Sequence, residues 1–178
     1  MTEGYEEDLN MYEESLGRPN KQLDREALLR PIREMEYRRP PIAYEPGRPL
    51  SEVLLGMVER GVGAVLILEA GRVAGIFCER DLLIKRLYEG KNLDRPIREF
   101  MTPDPDCLTP DDPIGFALNR MVEGGYRHIP IISPDKTPIG LVAMRHVMSY
   151  VQSFFPVVAL NLPPHSEHNP PDRSANGG

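Results

Sequence analysis

Two short segments hold the residue types from which binding chemistry could be built. They are Cys78-Glu79-Arg80-Asp81 and Ala143-Met144-Arg145-His146, and each falls where an apolar strand pattern gives way to a helical one. A helix start that follows a strand exposes backbone N–H groups, which favour phosphate. A carboxylate such as Asp81 only accepts hydrogen bonds, so it complements a vicinal diol donating two. The same carboxylate also suits the first turn of a helix, where acids are favoured, and both readings stand. In the other segment Ala143 has nothing to donate, and neutral His146 accepts only one hydrogen bond. Arg80 and Arg145 occupy equivalent places, either against a phosphate or as solvated helix residues. His128, beside Arg127, suits phosphate contact or a structural hydrogen bond equally well. Cys78 reads as a small buried residue, and its thiol donates weakly.

Other constellations carry less. There is no GxSxG, P-loop or HExxH pattern and no Cys with an organised His partner, so no enzyme is expected. Asp104, Asp106, Asp111 and Asp112 lie beside prolines, where turn and cap chemistry accounts for them. His165 and His168 flank Glu167 in a proline-rich stretch with nothing to fix a metal geometry, so no metal is expected.

The charge is uneven. Among 178 residues, 27 Asp and Glu face 21 Lys and Arg, a net charge of −6. All of it resides in Glu3, Glu6, Glu7, Asp8, Glu13 and Glu14, and the remainder is neutral. An acidic arm on a neutral body is a poor match to nucleic acid or to an anionic membrane surface. No apolar run approaches 18 residues, no signal sequence is visible, and Cys78 and Cys107 show no CxxC spacing. These features fit a cytoplasmic location.

The elements that must position the two segments repeat. Pro31-Ile32-Arg33-Glu34 recurs as Pro96-Ile97-Arg98-Glu99, and Met57-Val58-Glu59 with Gly61 recurs as Met121-Val122-Glu123 with Gly125. Pro46 and Pro49 match Pro110 and Pro113, and Gly75 and Arg80 match Gly140 and Arg145. In the first copy, Pro40–Tyr44 reads as extended. Leu50, Val53, Leu54, Met57 and Val58 form one helical face that begins at Pro49 and ends near Gly61. Ala64–Leu68 and Arg72–Phe77 read as a hairpin, and Glu79–Tyr88 as a helix closed by Gly90. In the second copy Asp112 caps a helix starting at Pro113. His128–Ile132 and Pro138–Val142 form the hairpin, and Met144–Phe154 closes the unit. Each copy is thus β-α-β-β-α, of about sixty residues, and marginal alone. The expected fold is α/β (α+β), two repeats packed as one pseudo-symmetric module. Residues 1–30 form an acidic arm with a short helix, 31–95 and 96–156 the repeats, and 157–178 a disordered tail.

The repeats resemble the cystathionine-β-synthase (CBS) domain, whose tandem pairs are called Bateman modules. The resemblance rests on Gly125-Tyr126-Arg127-His128-Ile129-Pro130-Ile131 and Gly140-Leu141-Val142, on Gly75-Ile76-Phe77-Cys78-Glu79-Arg80-Asp81-Leu82, and on Met101-Thr102-Pro103. It implies a regulatory module that binds an adenine nucleotide (AMP, ADP, ATP) or, as in some members, S-adenosylmethionine or NAD, with no required cofactor. It further implies that Asp81 accepts from the ribose hydroxyls, and that Ile42, Val62 and Ala64, with Tyr126, His128 and Pro130, line base pockets. Cys78 and Ala143 replace the usual Ser or Thr, and His146 replaces the usual Asp. Taken repeat by repeat, the first copy is the better ribose site, and the second suits a ligand with more phosphate. CBS modules commonly pair their helices, and the apolar Phe154, Phe155, Val157 and Val158 fit a homodimer. The protein partner is unknown. The competing reading is an interaction module whose nucleotide sites have decayed.

Overall fold

The computed structural model describes residues 23–37, 39–84 and 93–155. The acidic arm up to residue 22, the expected helix end at Tyr88 and Gly90, and the tail with His165 and His168 lie outside them.

The chain runs α1 (Arg25–Leu29), β1 (Ala43–Tyr44), α2 (Leu50–Glu59), β2 (Ala64–Glu69), β3 (Arg72–Cys78) and α3 (Glu79–Ile84). It continues through β4 (Thr102–Pro103), α4 (Ile114–Gly124), β5 (His128–Ile132), β6 (Pro138–Ala143) and α5 (Met144–Gln152). Short 3-10 turns cover Ile32–Glu34 and Ile97–Glu99. Residues Leu23–Tyr150, which hold both repeats, pack as one unit.

Four strands form a sheet in the order β1-β2-β3-β4, with β1 parallel to β2 and the other neighbours antiparallel. β5 and β6 form an antiparallel hairpin, flanked by a parallel bridge from Leu108 to Ile131. Both hairpins slip register at equivalent places, Ile67/Leu68 and Ile131/Ile132, so the repeat reaches down to the bulge. α2 and α4 both end on a residue pair that needs a left-handed glycine. Gly61 has φ 58° and Gly125 has φ 66°.

The expected cap at Asp112 is not formed. Pro113 holds the N-cap position of α4 without a side-chain bond. Asp112 Oδ2 instead accepts from the Thr109 N–H at 2.6 Å and the Thr109 hydroxyl at 2.9 Å. The carboxylate closes the turn before the helix, because Pro113 separates it from the helix N–H groups. The final helix stops at Gln152, with Phe154 and Phe155 in turns closed by Val151 and Gln152 carbonyls.

The leading segment of each repeat packs on the other repeat. Ile32 N–H donates to Asp112 O, Arg33 N–H to Pro110 O, and Ile114 N–H to Arg30 O. The equivalent Ile97 N–H donates to Arg48 O, Arg98 N–H to Pro46 O, and Leu50 N–H to Arg95 O. Bridges Pro31 to Pro113 and Pro49 to Pro96 complete the correspondence. The cores follow the same exchange. Ile32 and Met35 are buried with Ile114, Met121, Ile129 and Val142, whereas Ile97 and Phe100 are buried with Leu50, Val53, Val65 and Phe77. A third cluster joins Ala64, Leu66 and Ile76 of the first repeat to Leu141 of the second, so the two hairpins share apolar surface.

Candidate functional site

Each β-to-α junction is closed by the side chain three residues on. Asp81 Oδ2 accepts the Cys78 N–H at 2.8 Å, and His146 Nδ1 accepts the Ala143 N–H at 3.0 Å. The two acceptors are geometrically equivalent and chemically different. The Asp81 carboxylate has room for about four hydrogen bonds. His146 commits its one acceptor nitrogen to the backbone, which leaves the neutral ring's proton on Nε2.

Two clefts open where the repeats meet. The first, of about 460 Å³, is lined by Ile76, Cys78, Arg80 and Asp81 of the first repeat and by Tyr126 and His128 of the second, with Thr102, Asp104, Pro105 and Asp106 between them. The second, of about 610 Å³, brings Val62 and Gly63 of the first repeat against Ala143 and Arg145 of the second. Both volumes suit a nucleoside-sized ligand. Glu79, Arg127 and His128 line both clefts.

This arrangement regroups the expected residues. Taken repeat by repeat, Asp81 belongs with Val62 and Ala64, and His146 with Tyr126 and His128. The structure crosses them: Asp81 and Cys78 share a cleft with Tyr126 and His128, while Val62 shares one with Ala143 and Arg145. The physical reason is the pairing of the repeats, which sets each β-to-α junction against the opposite repeat's strand start. Cys78 Sγ lies 3.8 Å from His128 Nδ1 across that boundary. Four expected residues are not among those lining either cleft. Ala64 is buried against Leu66, Ile76 and Leu141, Ile42 packs on the first core, and Pro130 is buried opposite Leu141 in the hairpin. The His146 ring is likewise not among the lining side chains.

Arg80 does not wait for an anion. Its guanidinium donates to Gly125 O at 2.9 Å and ties α3 to the end of α4. Tyr126 is positioned from two sides. Its hydroxyl donates to Asp106 Oδ2 at 2.6 Å, and Arg120 donates to the same oxygen at 2.5 Å. Its ring covers Gly124 so closely that an added Cβ would lie 2.0 Å from ring carbon Cε1. The Tyr126 hydrogen bond, with Arg120 beside it, holds the Asp106 carboxyl below its ordinary range. Asp104 and Asp106, which turn chemistry alone accounted for in the sequence, are therefore cleft residues. The alternation Asp104-Pro105-Asp106 straight after Met101-Thr102-Pro103 was the available signal.

Burial, and then the neighbouring Arg145, His146 and Arg127, push His128 down to about 4. The ring is neutral at neutral pH and supplies hydrogen bonds rather than charge. An unfolded histidine takes its proton near 6.5, so the folded state loses stability as pH falls from about 6.5 toward 4. The full loss is up to about 3 kcal/mol, and none of it remains above that window. Thermal melting at pH 5 and pH 7 is expected to show the drop, and His128→Gln should flatten it. An unchanged slope in the variant would place the proton uptake elsewhere. Burial and the Asp104 and Asp106 carboxylates push the Cys107 thiol up to about 11. Among the described residues no group of three or more His, Cys, Asp or Glu side chains is placed to hold a metal ion. No helix among them is long and apolar enough to cross a membrane.

Two β-α-β-β-α repeats, exchanging their leading segments and enclosing two clefts, define a tandem α+β module. The family model described as CBS domain matches residues 32–87 and 97–153, and the chain belongs to the CBS domain family. Protein MK0525 of Methanopyrus kandleri is 34 % identical over 113 residues, 62 % of this chain and 58 % of that protein. The chain spans between 14 and 61 % of the length of curated relatives such as this one. Among solved structures, CBS domain protein PAE2072 from Pyrobaculum aerophilum, complexed with AMP, matches with a TM-score of 0.62 at 18 % identity. That match covers 70 % of this chain and 97 % of the other. The CBS domain pair of protein MJ0100, in complex with 5-methylthioadenosine and S-adenosyl-L-methionine, matches with a TM-score of 0.62 at 17 % identity. It covers 69 % of this chain and 96 % of the other. At these identities the likeness is one of fold.

Proposed function

We propose that the chain is a sensor that binds an adenosine-containing ligand in the first cleft and signals by rearrangement. The observation that carries this reading is the meeting of Asp81 with Tyr126 and His128 in one cleft of about 460 Å³. Asp81 accepts from the ribose diol, and Tyr126 and Ile76 flank the base. The solved CBS pairs that hold AMP, 5-methylthioadenosine or S-adenosylmethionine support the ligand class. The ligand needs no further cofactor, and the chain acts as a regulator rather than a catalyst.

Signalling follows from where the cleft lies. Its walls come from both repeats, so a ligand that prefers one spacing of the repeats shifts the population toward it. A homodimer and a protein partner would read that shift. The second cleft favours the competing reading for its own half, since neither Ala143 nor the backbone-bound Nδ1 of His146 supplies a carboxylate to a diol.

Thermal melting with AMP, ADP, ATP, NAD and S-adenosylmethionine tests the proposal. A ligand at one hundred times its dissociation constant is expected to add about 2.7 kcal/mol. No shift with any of them would leave the interaction module as the surviving reading.

A further inference from the structure

The two clefts differ in charge. Four carboxylates (Glu79, Asp81, Asp104 and Asp106) line the first cleft against the two guanidinium groups of Arg80 and Arg127. Arg80 is directed onto the Gly125 carbonyl. Arg120 answers Asp106 from outside the lining, and among the described residues that line the cleft carboxylates still outnumber guanidinium groups. His128 adds no positive charge at neutral pH. In the second cleft Arg127 and Arg145 outnumber Glu79. A cleft lined by one sign of charge focuses its field on whatever enters. The diol-binding carboxylate therefore stands in the cleft that repels phosphate, and the cleft that attracts phosphate lacks the carboxylate.

We infer that the first cleft selects adenosine compounds whose 5′ substituent is uncharged or cationic and discriminates against nucleoside polyphosphates. This rests on the nucleoside reading of that cleft and sharpens it. Asp81 holds the diol, and the adjoining Glu79, Asp104 and Asp106 meet the 5′ substituent. A thioether or hydroxyl there is tolerated, a sulfonium or ammonium is attracted, and a triphosphate is repelled.

Isothermal titration of the full chain with adenosine, S-adenosylmethionine and ATP, without divalent cations, tests this. The dissociation constant for ATP is expected to be at least tenfold above that for adenosine, with S-adenosylmethionine equal to or tighter than adenosine. The double variant Glu79→Gln, Asp104→Asn should shrink the ATP-to-adenosine ratio to under threefold. Asp104 sits at φ 44°, a conformation Asn adopts readily, so the exchange respects the backbone. Melting of the unliganded variant checks its fold, and 1 M salt should narrow the ratio in the parent chain by the same logic. ATP binding as tightly as adenosine overturns the charge selection while leaving the nucleoside reading in place. If none of the three binds, the nucleoside reading falls and the selection falls with it.

Discussion

Replacing Asp81 with alanine is expected to weaken the nucleoside ligand by ten- to a hundredfold or more. Two hydrogen bonds from a diol to a carboxylate contribute about 1.5–3 kcal/mol each, and every 1.4 kcal/mol is about tenfold. The alanine variant also loses the bond that Asp81 Oδ2 accepts from the Cys78 N–H, a loss of roughly 1 kcal/mol in the unliganded protein. Asp81→Asn separates the two roles. Its amide oxygen can still accept from Cys78, whereas its NH2 cannot accept a hydroxyl proton. Titration should therefore find both variants deficient in binding, while melting without ligand finds only the alanine variant weakened. An asparagine variant that binds normally would reduce Asp81 to a cap. His146→Ala is expected to change affinity less than threefold, since its ring nitrogen is already spent on Ala143.

The second large effect concerns stability and crosses the sequence boundary between repeats. Ile97 is fully buried, yet its neighbours are Leu50, Val53, Val65 and Phe77 of the first repeat. Truncating it to alanine is expected to cost about 2–5 kcal/mol, the usual range for a buried aliphatic side chain. The melting temperature should fall by roughly 10 °C. Native-state hydrogen exchange should place the loss of protection in residues 64–78 more than in 128–143. Ile32→Ala should do the opposite, because Ile32 packs against Ile114, Met121 and Ile129. If each truncation instead exposed the amides of its own repeat, the exchange of leading segments would not be what stabilises the cores.

Much of this fold was legible because the sequence states it twice. The apolar face of α2, repeated in α4, and the glycines at 61 and 125 located both helices and both left-handed ends. The residue types of the site were legible too, since Asp81 stands out where the matching residue is His146. Their grouping was not. Periodicity reports which residues share an element, and the matching of repeats reports which are equivalent. Neither reports which repeat a residue faces. Ala64 and Pro130 show the same limit, because a strand position reads alike whether it borders a cleft or a neighbouring hairpin. Asp112 shows a smaller one. Beside Pro113 it looked like a helix cap, and the nearby Thr109 took the carboxylate instead.

The exchanged leading segments carry a historical implication. The contact of Ile32 with the second repeat and that of Ile97 with the first are the same contact made twice, with the same three backbone hydrogen bonds. A single-repeat ancestor could have completed its core only by lending this segment to a second copy and borrowing one back. Such a polypeptide would have been an obligate twofold dimer, with two identical clefts related by its axis. Two copies joined in one chain need not stay alike, and here one junction carries the carboxylate of Asp81 and the other the imidazole of His146.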